Sequence, residues 1–221
     1  MRKPFDMATD RLNRRLFVSD AWCDCIWKVD VDRRRSNVFL AGVGKPGRLS
    51  VMPDGRIVMP NQADRSLRVH DPTTGKRVST IVLPANVERP QHAAATPHGT
   101  FVFSHGSSAA DVHQLVEVTG DGVPVRVFGC AGAGTNALRH PYHFDIDESG
   151  NIAVADYGNG RVLLLDANLK LKCVLLNRSP EPFVNVPWRL CFDKDSGRLV
   201  VVMRSKAVTS VEMFSVRRHM E

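Results

Sequence analysis

Short apolar runs alternate with polar turns along the whole chain, and the segments between them show no sustained helical spacing of apolar residues. The pattern is plainest in one stretch. Tyr142 to Asp147 reads as a strand, Glu148-Ser149-Gly150-Asn151 as a turn, and Ile152 to Asp156 as a second strand. Tyr157 to Gly160 turns again, Arg161 to Asp166 makes a third strand, Ala167 to Leu169 a turn, and Lys170 to Leu176 a fourth strand. Ile152-Ala153-Val154-Ala155 and Val162-Leu163-Leu164-Leu165 lack polar alternation. Such strands are predicted to be covered on both faces, as in sheets packed between neighbouring sheets.

The same order recurs. Proline stands at Pro4, Pro46, Pro90, Pro141 and Pro187, at intervals of 42, 44, 51 and 46 residues, each time followed by an apolar stretch, a polar turn and a second β-rich run. Three copies have a middle of equal length: Leu16 to Asp30, Ile57 to Asp71 and Ile152 to Asp166 each run 15 residues. Asp20, Asn61 and Asp156 then fall at one position and Asp30, Asp71 and Asp166 at another, where Asx side chains are predicted to bond turn backbone rather than to catalyse. Four strands joined by short turns exclude a parallel α/β sheet and predict an all-β fold, a β-propeller of four-stranded antiparallel blades. The blades are expected near 4–45, 46–89, 90–140, 141–186 and 187–216 of a single domain spanning 1–221, with a tail at 217–221.

Asp156-Tyr157-Gly158-Asn159-Gly160-Arg161-Val162, preceded by Asn151 to Ala155 and by Pro141, resembles an NHL repeat, and Phe128 to Gly134 resembles the linker before such repeats. Val18 to Trp22 and Asn61 to Val69 match in part, and the third and fifth copies match by position. The resemblance covers nearly the whole chain and implies five NHL-like repeats of a propeller that is commonly six-bladed and often the interaction domain of tripartite-motif proteins. The cysteine and histidine array of a RING or B-box is missing from this sequence, so ligase activity does not carry over. The fifth copy is incomplete, with a third strand near Thr209 to Val216 and no fourth. An unpaired edge invites association, so a closing strand or sixth blade is expected from further sequence or from another chain.

Charge and cysteine refine this picture. The formal charge is +7 and the pI near 9.5, which favours acidic partners. Five cysteines without framework spacing point to reduced thiols, and the opening residues show no apolar signal or membrane span, so a cytoplasmic protein is expected. Cys23-Asp24-Cys25 is too closely spaced for a zinc knuckle and has no second pair.

The repeat phase selects the candidate residues. Around the prolines lie Lys45, Arg48, Arg89, His92, Arg139, His140, Tyr142, His143, Trp188 and Arg189. If the turns before the first strands share one face, these residues form a basic surface with aromatic contacts. The leading expectation is a protein-interaction scaffold without catalysis. RNA binding through the same face is the alternative, since rings beside guanidinium groups stack bases. A metal-dependent hydrolase or lyase ranks last. Asp6 is the sole carboxylate among these positions, so a calcium-type oxygen cage is not expected, and neither a catalytic residue, a metal nor a cofactor is predicted. Ser104 to Ser108 reads as a loop without a nucleophile pattern.

Overall fold

The computed structural model describes residues 1–106, 112–177, 185–193, 195–205 and 209–215. The first sheet comprises β1 (Pro4–Asp10), β2 (Arg15–Asp20), β3 (Cys25–Asp30) and β4 (Arg35–Ala41) in that order. In the second, β5 (Ser50–Val51), β6 (Ile57–Asn61), β7 (Ser66–His70) and β8 (Arg77–Val82) follow the same order. The third is made of β9 (His92–Ala95), β10 (Phe101–His105), β11 (Gln114–Val118) and β12 (Pro124–Phe128). Then come β13 (Pro141–Ile146), β14 (Ile152–Asp156), β15 (Arg161–Leu165) and β16 (Leu171–Asn177), with one 3-10 turn at Tyr157–Asn159. The fifth sheet has three strands among the described residues: β17 (Val186–Asp193), β18 (Arg198–Arg204) and β19 (Thr209–Ser215).

Within each sheet every strand pairs with the next in sequence, and the fold is an all-β β-propeller of antiparallel blades. The expected blade end at 216 and the tail 217–221 lie outside the described residues. No described helix is long and apolar enough to cross a membrane.

The Cα packing groups the chain into two compact units. Met1–Ala95, Gly99–Phe103 and Val118–Val123 form the first; Thr96–His98, Ser104–Glu117 and Pro124–Glu221 form the second. In the first unit Phe17, Ile26, Leu49, Ile57 and Met59 make a core between the first two sheets, and Phe39 lies 5.0 Å from Phe17, ring to ring. In the second, Ala153, Ala155, Val162 and Leu164 pack against Leu190, Leu199, Val201 and Met203. β14 and β15 are buried at every position, and both faces are apolar except at the paired charges Asp156 and Arg161.

The Asx positions fix the turns. Asp30 Oδ1 accepts from the Arg33 N–H at 2.8 Å, Asp71 Oδ1 from the Thr73 and Thr74 N–H groups, and Asp166 Oδ1 from those of Asn168 and Lys170. Two other carboxylates tie neighbouring first strands. Asp6 Oδ2 accepts from the Leu49 N–H at 3.0 Å, and Asp145 Oδ2 from that of Phe192 at 2.8 Å. The five cysteines are free thiols. Ser104 and His105 end β10 as buried residues, and the rest of the expected loop, 107–108, lies outside the described residues.

Candidate partner-binding site

A backbone irregularity brings the best candidate side chains out of their sheets. In β13 the pairing runs Pro141↔Asp156 and then His143↔Ala155, so Tyr142 is skipped. Trp188 is skipped between Pro187↔Met203 and Arg189↔Val202, and Phe5 between Pro4↔Asp20 and Asp6↔Ser19. Each of these three prolines lacks an N–H and is tolerated at such a bulge, and the extra residue after it leaves the ladder with its side chain re-aimed.

In the second unit this places Tyr142 and Trp188 face to face. Their ring centroids are 4.0 Å apart at 29°, and Tyr157 meets the Trp188 edge at 5.4 Å and 72°. Tyr142 and Tyr157 lie 5.7 Å apart. The exposed Arg204, last residue of β18, sets its guanidinium carbon 4.3 Å from the Trp188 centroid. All three rings are half-buried. Burial pushes the Tyr157 phenol pKa up, with Arg204 opposing and Tyr142 adding to it; the hydroxyl stays protonated and able to donate.

A buried ion pair holds Tyr157 in place. Asp156 is fully buried, its Oδ2 accepting from Arg161 Nε and from Asn159 Nδ2, each at 2.8 Å, and its Oδ1 from the Arg139 N–H at 2.7 Å. Arg161 also donates to the Gly134 and Ala137 carbonyls at 2.9 and 2.6 Å. The Tyr157 N–H donates to the His140 carbonyl and that of Gly158 to the Arg139 carbonyl, at 3.2 and 2.7 Å. The Gly-rich stretch read as a linker is thus an ordered loop clamped by one arginine, with bonds from the Leu138 N–H to the Cys130 carbonyl and from the Gly132 N–H to the Leu138 carbonyl. Asp20 acts alike in the first unit, accepting from the N–H groups of Arg2, Lys3, Trp22 and Cys23; these bonds outweigh burial and hold its carboxyl below the usual range.

The other candidates fall into two environments. Lys45, Arg89 and Arg139 are exposed, and His143 and Arg189 are half-buried. Lys45, Arg89 and His140, each directly before a repeat proline, take positive φ of 58°, 46° and 55°. Arg48 and His92, expected on the surface, are interior groups, each 2% exposed. Arg48 donates to the Gln91 side chain at 3.0 Å and backbone at 3.3 Å and lies 5.6 Å from the Phe5 centroid; His92 Nε2 is 2.9 Å from Ser50 Oγ. A planar guanidinium can be satisfied inside by amide oxygens and a ring face, which is why charge alone misplaces it.

His140 is half-buried with its ring 4.8 Å from that of His113. Burial, then the charge of Arg139, lowers the His140 pKa; burial, then His140, His105 and Arg139, lowers that of His113. Among the described residues no group of three or more His, Cys, Asp or Glu is arranged to hold a metal. Tyr157 and Arg204 are the members of the platform that repeat phase missed. The available signal was that each sits at the end of a second strand, one residue after Asp156 and at Arg204 itself.

No protein-family model matches the chain, and no curated protein matches it in sequence. Solved structures do share its fold. A chain of a nidogen/laminin complex is similar with a TM-score of 0.70 at 13% identity, over 98% of this chain and 81% of that one. Virginiamycin B lyase from Staphylococcus aureus is similar with a TM-score of 0.64 at 13% identity, over 96% and 69%. Hydrazine synthase of Kuenenia stuttgartiensis gives 0.64 at 14%, over 96% and 84%. At these identities the likeness is one of fold, and it spans both interaction proteins and enzymes.

Proposed function

We propose that the chain is a non-catalytic, NHL-type interaction propeller whose partner protein docks on Tyr142, Tyr157, Trp188 and Arg204. The single observation that carries this reading is the half-open aromatic trio capped by an exposed guanidinium. Trp, Tyr and Arg are the residue types that dominate binding energy at protein interfaces; the two rings bring large rigid area at small entropic cost, and Arg brings charge and directed hydrogen bonds. The buried Asp156–Arg161 pair supports it further, since it preorganises the platform before a partner arrives. Arg204 beside the rings suits an acidic side chain next to an apolar anchor. The flanking Arg139 and Arg189 extend the contact, and the resemblance to a propeller solved in a nidogen/laminin complex is consistent with such a role. Five free thiols suit a cytoplasmic setting.

The test is affinity capture followed by calorimetry of the purified pair, with Trp188→Ala and Arg204→Ala compared with the unaltered protein. Trp188→Ala should weaken binding by about 30-fold or more, the scale of an interface anchor, with an unchanged circular dichroism spectrum. A partner held equally by both variants sinks the reading. Titration with single-stranded and hairpin RNA across a salt series is the parallel arm. RNA affinity that depends on Trp188 would make base stacking the platform's purpose.

A further inference from the structure

The first sheet carries a surface of its own, remote in sequence from the aromatic platform. Its β1–β2 turn is Arg11-Leu12-Asn13-Arg14 and its β3–β4 turn Val31-Asp32-Arg33-Arg34, and the strands that follow them open on Arg15 and Arg35. Both turns lie at one end of this antiparallel sheet. Neighbouring strands run about 4.8 Å apart, so the two tips stand about 10 Å from each other. They are tied together. The Val31 N–H donates to the Arg14 carbonyl at 3.1 Å, and Arg14 Nε to Asp32 Oδ1 at 2.6 Å. Asp10 Oδ1 accepts from the Asn13 N–H at 3.1 Å and Asp30 Oδ1 from the Arg33 N–H at 2.8 Å, so these carboxylates hold the backbone of the turns.

Six arginines stand against three aspartates over residues 10–15 and 30–35, so this end of the sheet keeps a positive excess. The β5–β6 turn beside it, where Gly55 approaches Asp10, adds no net charge, because Asp54 pairs with Arg56 at 2.6 Å. Among the arginines stands an apolar residue. Leu12 is 85% exposed, more than any other large hydrophobic among the described residues, and Val31 of the neighbouring turn is 42% exposed. Water disfavours such a side chain, and Asn, Asp or Gly would serve a turn without that cost. Neither turn carries a ring on which a base would stack. Guanidinium groups around a protruding aliphatic side chain match a surface that is anionic outside and hydrocarbon beneath.

We propose that this end of the first sheet docks on an anionic lipid bilayer, with the arginines at the headgroups and Leu12 entering the acyl boundary. The contact is peripheral and needs no spanning helix. A nucleic acid fits less well, since it would use the arginines and leave Leu12 in water. The ties between the turns hold the leucine and the charges in place before the surface is met, so little ordering is left to do on contact. The surface shares no residue with Tyr142, Tyr157, Trp188 and Arg204, and the proposal stands whether or not that platform binds a protein.

The test is sedimentation of the full chain with vesicles of phosphatidylcholine and phosphatidylserine at about 7:3, which carry a negative surface potential, and with vesicles of phosphatidylcholine alone. Binding to the mixed vesicles only is expected, and it should fall as salt rises. Each cation near such a surface contributes about fivefold, so changing Arg33, Arg34 and Arg35 together to serine should weaken binding about a hundredfold. Leu12→Asn should weaken vesicle binding about tenfold and leave retention on heparin unchanged; that split marks insertion. Trp22→Ala controls for general stickiness. Trp22 is 67% exposed but lies in the β2–β3 turn at the opposite end of the sheet, so its loss should change nothing. Each variant should keep the circular dichroism spectrum of the unaltered protein. No binding to mixed vesicles, equal binding to phosphatidylcholine, Leu12→Asn bound as tightly as the unaltered chain, or hairpin RNA bound more tightly than the vesicles would overturn the proposal.

Discussion

Single buried charges do much of the positioning here. Arg161 is 8% exposed and Asp156 fully buried, so removing one partner strands the other away from water. Asp156→Ala should therefore cost about 3–5 kcal/mol, seen as a lowered urea midpoint, and should also weaken partner binding because Tyr157 loses its anchored turn. Asp156→Ala with Arg161→Met should recover part of the stability without restoring binding. A double variant as unstable as the single one would argue against the pair as the cause. His113 acts through protonation. It is 5% exposed with its pKa lowered, so the unfolded chain binds the extra proton first as the pH falls. Stability should be full above the unfolded value of about 6.5 and decline as the pH drops through the interval below it. Thermal unfolding between pH 7 and 5 should show that decline, and His113→Leu should flatten it; an equal slope in both proteins would place the acid sensitivity elsewhere.

Among the elements, the strands of the fourth sheet were legible almost residue by residue, because their signals are local. Ile152 to Asp156 is the observed β14, and the predicted first, third and fourth strands differ from β13, β15 and β16 by one residue at their ends. Continuous apolarity in Val162 to Leu165 marked burial on both faces correctly. Leu164→Ala, at the heart of the contact between the fourth and fifth sheets, should cost about 2–5 kcal/mol, measured by denaturant unfolding. The candidate site was legible only where it follows the repeat. Tyr142 and Trp188 stood out because each trails a repeat proline, although the bulge that turns them outward is a matter of register, which periodicity does not encode. Arg204 escaped notice because the fifth copy aligns by position alone. Arg48 and His92 were read as surface groups because Arg and His are usually solvated, and their bonds to Gln91 and Ser50 come from distant sequence.

At the scale of the whole molecule, the charge of +7 is unevenly placed. Arg11, Arg14 and Arg15 at the β1–β2 turn and Arg33, Arg34 and Arg35 at the β3–β4 turn supply six of the thirty cationic side chains. The Val31 N–H donates to the Arg14 carbonyl at 3.1 Å and holds the two turns together, at the end of the first sheet away from Pro4. Arg14 pairs with Asp32 at 2.6 Å and Arg33 with Asp30 at 3.2 Å; each pair cancels one positive charge at a distance, and the six arginines still leave a net positive excess at these turns. The positive field is therefore concentrated away from the repeat prolines of that sheet, whereas the aromatic platform of the second unit relies on area more than on charge. Two kinds of binding should then separate by salt. Retention on heparin should fall steeply with ionic strength, as counterion release requires, and should drop when Arg33, Arg34 and Arg35 are changed together to serine. Trp188→Ala should leave that retention unchanged. Partner binding should show the reverse dependence, sensitive to Trp188 and nearly indifferent to the three turn arginines. If Trp188→Ala lowered heparin retention as much as the triple change did, polyanion and partner would share one surface, and charge rather than aromatic area would be what the platform offers.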